Sequence, residues 1–256
     1  MPDLVHFSAE GAVGLIRLDR PPVNALSDEL SKDLLIAVEQ ATDREIRAVV
    51  ITGQPHFAAG ADIKGFQAAY QTGEDQQMAS SLAGAILSLE ELAKPVIAAV
   101  HGYALGGGLE LAMGADFRYL AEDAQVGQPE IKLGLIPGAG GTQRLQRLVG
   151  QQKARDIVYS GRFVGAEEAL SIGLADKVAA TADLLDLALA DAARWAEGPT
   201  PALAAAKRAL VGGWGKPLAE ALAVEAEQFQ GAFWTDDAKE GVAAFLEKRA
   251  PRFTGR

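Results

Sequence analysis

The sequence predicts an α/β fold that passes into a helical C-terminal part. Three features point there. Short runs rich in β-branched and other apolar residues recur at 48–52, 95–100 and 115–120, as expected of strands buried on both faces. Segments of helical spacing separate them, and strands alternating with helices indicate an α/β architecture. From about Gln151 the apolar spacing is almost wholly helical.

The elements follow in order. Residues 4–7 and 13–18 alternate and read as two strands around a turn at Glu10-Gly11. Arg20-Pro21-Pro22 stops the sheet, since proline has no N–H to give a ladder. Ser27 is a suitable N-cap, with Asp28 and Glu29 in the first helical turn. Leu30, Leu34 and Val38 keep the helical period through about Ala41. After strand 48–52 comes a small-residue loop, Phe57-Ala58-Ala59-Gly60-Ala61-Asp62. A helix over about 76–92 precedes strand 95–100. That strand runs through His101-Gly102-Tyr103 to Gly106-Gly107-Gly108, where another helix begins. Further helices are expected over 151–160, 165–171, 182–196, 201–210, 217–231 and 235–248, with a short strand at 176–178. Gly198-Pro199-Thr200-Pro201 is the clearest breaker. It divides a core, 1–197, from a helical region, 198–256.

Composition narrows the function. A chain of 256 residues, 49% hydrophobic and 23% charged, can fill one large core. The net charge of −10 disfavours nucleic-acid binding, which needs a basic stripe. It does not exclude a small anionic ligand held by a few local cations. With no cysteine, disulfides, thiolate nucleophiles and thiolate metal sites are out. No signal peptide is read at Met1-Pro2-Asp3-Leu4. The most apolar run, 95–114, is interrupted by His101, Glu110 and glycines, unlike a membrane helix. A cytoplasmic protein with no membrane partner is expected.

Several motifs are candidates for chemistry. Gly106-Gly107-Gly108 follows a buried strand and opens a helix. Helix N-termini carry unpaired N–H groups, and glycine lets a ligand oxygen come close. This run is therefore a candidate oxyanion-hole donor. Glu110 lies one turn on, leaning back over those donors, in an unusually apolar stretch. A partly buried carboxylate there is an acid–base candidate. Glu130, after Gly127-Gln128-Pro129, reads as the end of a strand or a loop, and alone it is an ordinary surface glutamate. Ala59-Gly60-Ala61-Asp62 is another source of free backbone N–H groups, or simply an Asx turn. Pro137-Gly138-Ala139-Gly140-Gly141-Thr142 opens a helix but matches neither a phosphate loop nor a dinucleotide fingerprint. His6, His56 and His101 show no metal-ligand spacing, so no metal is expected. A serine-hydrolase elbow, G-x-S-x-G, is missing.

These segments together resemble the crotonase (enoyl-CoA hydratase/isomerase) family over nearly the whole chain. The marks are Asn24-Ala25-Leu26, Phe57 to Ile63, Gly102 to Leu111, Gly127 to Glu130, Gly134 to Leu145, Gly173 to Val178 and Phe245 to Pro251. The resemblance implies a spiral of ββα units with a C-terminal helical region for trimerisation, as a homotrimer or homohexamer. It implies an acyl-CoA substrate and no separate cofactor, coenzyme A being part of the substrate. By the same resemblance the thioester oxygen sits between the N–H groups of Ala61 and Gly107. Glu110 and Glu130, twenty residues apart, match the two carboxylates of the hydratases. Ala59, Ala61, Asp62, Ile63 and Lys64 would contact coenzyme A. Lys248 would reach its 3′-phosphate from the same or a neighbouring subunit. For both lysines a solvated surface role is an alternative. The loops around 66–76 and the C-terminal helices would shape the acyl pocket.

The implied activity is hydration of a trans-2-enoyl-CoA in fatty-acid oxidation. Alternatives on the same scaffold are an enoyl-CoA isomerase, a hydrolase or a decarboxylase. Single-alkene isomerases typically keep only the second glutamate, and dienoyl isomerases add an acid where this chain has Gly138. An RNA-binding relative is known, but the acidic balance speaks against that role here.

Overall fold

The computed structural model describes residues 4–63, 70–71 and 77–256. Two sheets organise it. The larger has six strands in the order β1-β2-β3-β4-β6-β9, and the smaller has three, β5-β7-β8. β1 (Val5–Glu10) and β2 (Val13–Leu18) form the expected antiparallel hairpin. The pairings from β2 through β3 (Ala48–Gly53), β4 (Val96–Val100), β6 (Phe117–Ala121) and β9 (Lys177–Ala179) are all parallel. Every residue of β3 and β4 is buried, which is why they read as continuous apolar runs rather than alternating ones.

After β4 and again after β6 the chain leaves the large sheet and visits the small one. β5 (Tyr103–Leu105) follows β4, and β7 (Gln125–Gly127) follows β6. β8 (Phe163–Gly165) closes the small sheet antiparallel to β7. Helices return the chain to the large sheet. This repeated strand–strand–helix step is the expected spiral. The small-sheet strands have only three residues each, too few for any periodicity to announce them.

α1 (Asp28–Gln40) starts where expected, with the Ser27 hydroxyl accepting from Leu30 N at 3.2 Å. It buries Leu30, Leu34, Ala37 and Val38 along one face, the i, i+4, i+7 pattern of a core-facing helix. α2 (Gln77–Glu90) packs against α1 and against α3 (Gly107–Met113). α4 (Gly141–Ser160) is two helical segments joined at a kink, where Gly150 leaves the helical conformation (φ +77°). α5 (Ala166–Ser171) and α6 (Leu184–Ala196) follow. α6 lays Leu184, Ala188, Ala192 and Ala196 on β3 and β4.

α7 (Thr200–Gly213), α8 (Leu218–Phe233) and α9 (Asp236–Glu247) complete the chain. α7 and α8 pack on each other, yet α8 buries no residue and α7 buries only Ala204 and Ala205. Leu210, Trp214, Leu218, Phe229, Trp234, Phe245 and Leu246 are left exposed. The final residues fold back onto this region. The buried Asp237 carboxylate accepts from Thr254 N at 2.6 Å and Gly255 N at 3.0 Å. Arg47, just before β3, donates to Gly198 O, Thr200 Oγ1 and Phe253 O. One guanidinium thereby ties the 198–201 breaker and the tail to the large sheet.

Candidate active site

The site is built from two stretches of backbone that glycine and asparagine bring side by side. Asn24 is fully buried with φ +53°, a left-handed conformation asparagine tolerates better than most residues. Its Nδ2 donates to His56 O (2.7 Å) and Phe57 O (3.1 Å), and its Oδ1 accepts from Arg20 N (2.7 Å). This one side chain fixes the start of the 57–62 loop. Ala58 then bridges Ala104 of β5, through Ala58 N to Tyr103 O and Leu105 N to Ala58 O. The loop thus lies alongside the entry to α3. Gly108 must be glycine, because a Cβ there would sit 2.0 Å from Ala58 O.

The two expected oxyanion donors meet at this junction. A Cβ built on Gly107 would be 3.9 Å from Ala61 N. Ala61 bridges Leu26, but the bridge uses the groups on either side of it: Leu26 N donates to Gly60 O and Asp62 N to Leu26 O. The Ala61 amide therefore faces away from that pairing. Gly107 is the first residue of α3, so its N–H has no acceptor within the helix. Among the described residues, neither amide is bonded to another backbone group.

Glu110, in the first turn of α3, is 2% exposed. Its Oε1 accepts from Ala139 N and Gly141 N, both at 2.7 Å. Burial raises its pKa, opposed by those two amides and by the charge of Arg144. Glu130 is not on a strand end or an open loop as expected. It occupies a short 3₁₀ helix, Pro129–Leu133, in which Pro129 starts the turn and Gly134 (φ +74°) ends it. Its Oε1 would lie 2.9 Å from a Cβ on Gly106 (φ +53°), so Glu130 rests directly on the glycine that caps α3. Burial, with help from Glu110, pushes the Glu130 carboxyl up to about 7. The fully buried Gln128 amide, in the orientation that satisfies both groups, donates to the two Glu130 oxygens at 2.9 and 3.1 Å. Gln128 stood in the sequence pattern beside Glu130, but nothing local marked it as its partner.

The other expected contact residues divide. Ala59 is anchored through its N–H to Val23 O, near the junction. The Asp62 carboxylate pairs with Arg20 at 2.7 Å, which makes it part of the loop's framework. Ile63 is exposed. Lys64, and most of the 66–76 segment, lie outside the described residues. Lys248 is the exposed C-cap of α9 (φ +55°), and among the described residues no contact links it to Ala61 or Gly107. A cleft of about 420 Å³ lies elsewhere, between β6, β9 and α6, lined by Phe117, Tyr119, Lys177, Asp191, Arg194 and Trp195. Its Asp191 is taken by Tyr119, Lys177 and Arg194, and the Asp176 that also lines it accepts from Arg118, so both acids are already engaged. Among the described residues no cluster of His, Cys, Asp or Glu could hold a metal ion. Likewise, no helix of these residues is long and apolar enough to cross a membrane.

A family model described as enoyl-CoA hydratase/isomerase matches residues 8–256. The chain belongs to the enoyl-CoA hydratase/isomerase family. A probable enoyl-CoA hydratase of Rhizobium meliloti is 46% identical over 253 residues, covering 96% of each chain. A short-chain-enoyl-CoA hydratase of Clostridium acetobutylicum is 39% identical over 249 residues, covering 96% of this chain and 95% of its own. The crystal structure of an enoyl-CoA hydratase from Bacillus anthracis superposes with a TM-score of 0.93 at 36% identity, covering 99% of this chain and 100% of that one. The crotonase spiral is thus the fold of this family member, with a helical C-terminal region.

Proposed function

We propose that this family member is an enoyl-CoA hydratase, adding water syn across a trans-2-enoyl-CoA to give a 3-hydroxyacyl-CoA. The observation that carries the reading is a buried Glu110 carboxyl and a half-buried Glu130 carboxyl close enough to feel each other's charge, with Glu130 resting on Gly106 where the Gly107 and Ala61 backbones lie side by side. Water attacks C3 and passes a proton to Glu110. Negative charge develops on the thioester oxygen, and the Ala61 and Gly107 N–H groups receive it. Such a donor is worth roughly 3–4 kcal/mol in comparable sites. Glu130 then delivers its proton to C2. The environments suit this division. Burial raises both carboxyls, Glu130 to about 7, but only Glu110 has two backbone amides and a nearby guanidinium that offset its burial and favour its ionised form. At the end of the cycle the proton has moved from Glu130 to Glu110, and exchange with solvent resets the pair.

The same reading assigns coenzyme A to the loop at Ala59, Ala61, Asp62, Ile63 and Lys64, with Lys248 at the 3′-phosphate. Asp62 would contribute backbone, its carboxylate being held by Arg20. No cofactor beyond the substrate is required by this chemistry. The large apolar side chains left exposed on α7, α8 and α9 suit burial against further copies, as a homotrimer or homohexamer, because clustered exposed apolar surface marks contact surfaces. A cytoplasmic role in fatty-acid oxidation fits the chemistry.

The test is loss of the enoyl-thioester absorbance with crotonyl-CoA and longer homologues. Glu110→Gln and Glu130→Gln are each expected to lose about 10²-fold or more in kcat while still binding CoA esters. Full activity in either variant refutes that residue's role.

A further inference from the structure

The clamp on Glu110 has its own support. Ala139 N and Gly141 N both point at one carboxylate oxygen, so the turn between them must hold a concave shape. The Arg144 guanidinium fills the outside of that turn. Its Nη1 donates to Ala139 O at 3.0 Å, and a Cβ on Gly140 would fall 2.1 Å from the same nitrogen. Its Nε and Nη2 donate to Glu90 Oε2 at 3.1 and 2.6 Å. Glu90 is the last residue of α2, whose middle reaches Gly107: a Cβ there would lie 3.0 Å from Leu82 Cδ2. The Arg144–Glu90 pair is mostly buried, at 16% and 27% side-chain exposure. Its geometry is thereby fixed more firmly than that of a surface ion pair.

We propose that Arg144, braced by Glu90, is a positioning residue for hydration: it shapes the 139–141 turn so that both amides grip Glu110. The proposal rests on the hydratase reading above and adds two residues that touch no reacting atom. Arg144 acts through the turn and through its charge, which favours the ionised Glu110 that accepts the proton of water. Glu130 owes nothing to Arg144, being set by burial and by Glu110. The two limbs of the pH profile therefore respond differently.

The experiment is the pH dependence of hydration of crotonyl-CoA by the full chain, for wild type, Arg144→Met, Arg144→Lys and Glu90→Gln, with thermal melts in parallel. Arg144→Met is expected to lower kcat on the order of 10-fold or more at the wild-type optimum, with little change in KM. Its acid limb should move to higher pH while the alkaline limb stays. Arg144→Lys, which keeps the charge, should restore the position of the acid limb more than the rate. Glu90→Gln should shift the limb in the same direction by less. A uniform loss at every pH, with both limbs in place, overturns the proposal and leaves Arg144 a stability residue. If Arg144→Met shows no cooperative melt, Glu90→Gln carries the test, and an unmoved acid limb there overturns it. Glu110→Gln separates the two levels. Full hydration in that variant overturns the functional reading and this proposal together. An inactive Glu110→Gln beside an Arg144→Met with a wild-type acid limb overturns only the clamp.

Discussion

Replacing Asn24 by alanine should unfold the molecule more readily than any substitution of a catalytic acid. The side chain is wholly buried, and its removal strands three backbone groups: Arg20 N–H, His56 C=O and Phe57 C=O. Arg20 and His56 are only half-buried, so the lower end of the cost of an unmet group applies, about 1 kcal/mol each. Alanine at φ +53° adds about 1 kcal/mol of strain. The sum is about 4 kcal/mol, or roughly 8–16 °C in Tm for a chain of this size. Glycine at the same position loses the three bonds but adds no strain, so Asn24→Gly should cost about 3 kcal/mol. Denaturant titration of both variants tests the sum and its division. Activity per folded molecule should also fall, because Asn24 sets the loop that carries the Ala61 amide. A loss below about 1 kcal/mol for Asn24→Ala would show that the 57–62 loop is held by something else.

Other outcomes follow from the same geometry. Hydration and its reverse both begin from a singly protonated Glu110/Glu130 pair, so kcat/KM should be bell-shaped with the same two limbs in both directions. Glu130 must be neutral to donate, and its carboxyl is raised to about 7. Activity should therefore fall as pH rises through that region, and an alkaline limb that survives Glu130→Gln would contradict the assignment. Gly106→Ala places a methyl 2.9 Å from Glu130 Oε1 at a φ of +53°. It should cost about 10-fold or more in kcat through displacement of that acid, read in the crotonyl-CoA assay. Deleting residues 253–256 strips the buried Asp237 of its amide donors and Arg47 of one acceptor. A loss of about 3 kcal/mol or more is expected by calorimetry, and an unchanged melt would show the tail to be unimportant.

Most of the large sheet was legible because its strands are dense in β-branched residues and bounded by turn signals. The Ser27 cap was legible because one residue carries that signal. The small sheet was not: 103–105, 125–127 and 163–165 become strands only because neighbouring turns of the spiral offer them partners. Glu110 stood out as an acid in an apolar stretch, yet its grip comes from amides 29 and 31 residues away. Glu130 was ordinary by local criteria, and Pro129 favours a 3₁₀ turn there as well as the strand end that was expected. Gln128 and Arg144 lay within the segments that carry the resemblance, but nothing local announced their partners. Their roles lie in which atoms they meet across the fold, and spacing along the chain does not encode that.

Ala61 and Gly107 belong to successive windings, and the chain between them passes through α2 and β4 before the second amide is delivered. Neither winding alone owns a complete cradle. A refolding chain that has formed one of them should be catalytically silent. Regain of turnover should then lag behind regain of helical signal in a stopped-flow trace, and it should coincide with closure of the last gap between the two windings.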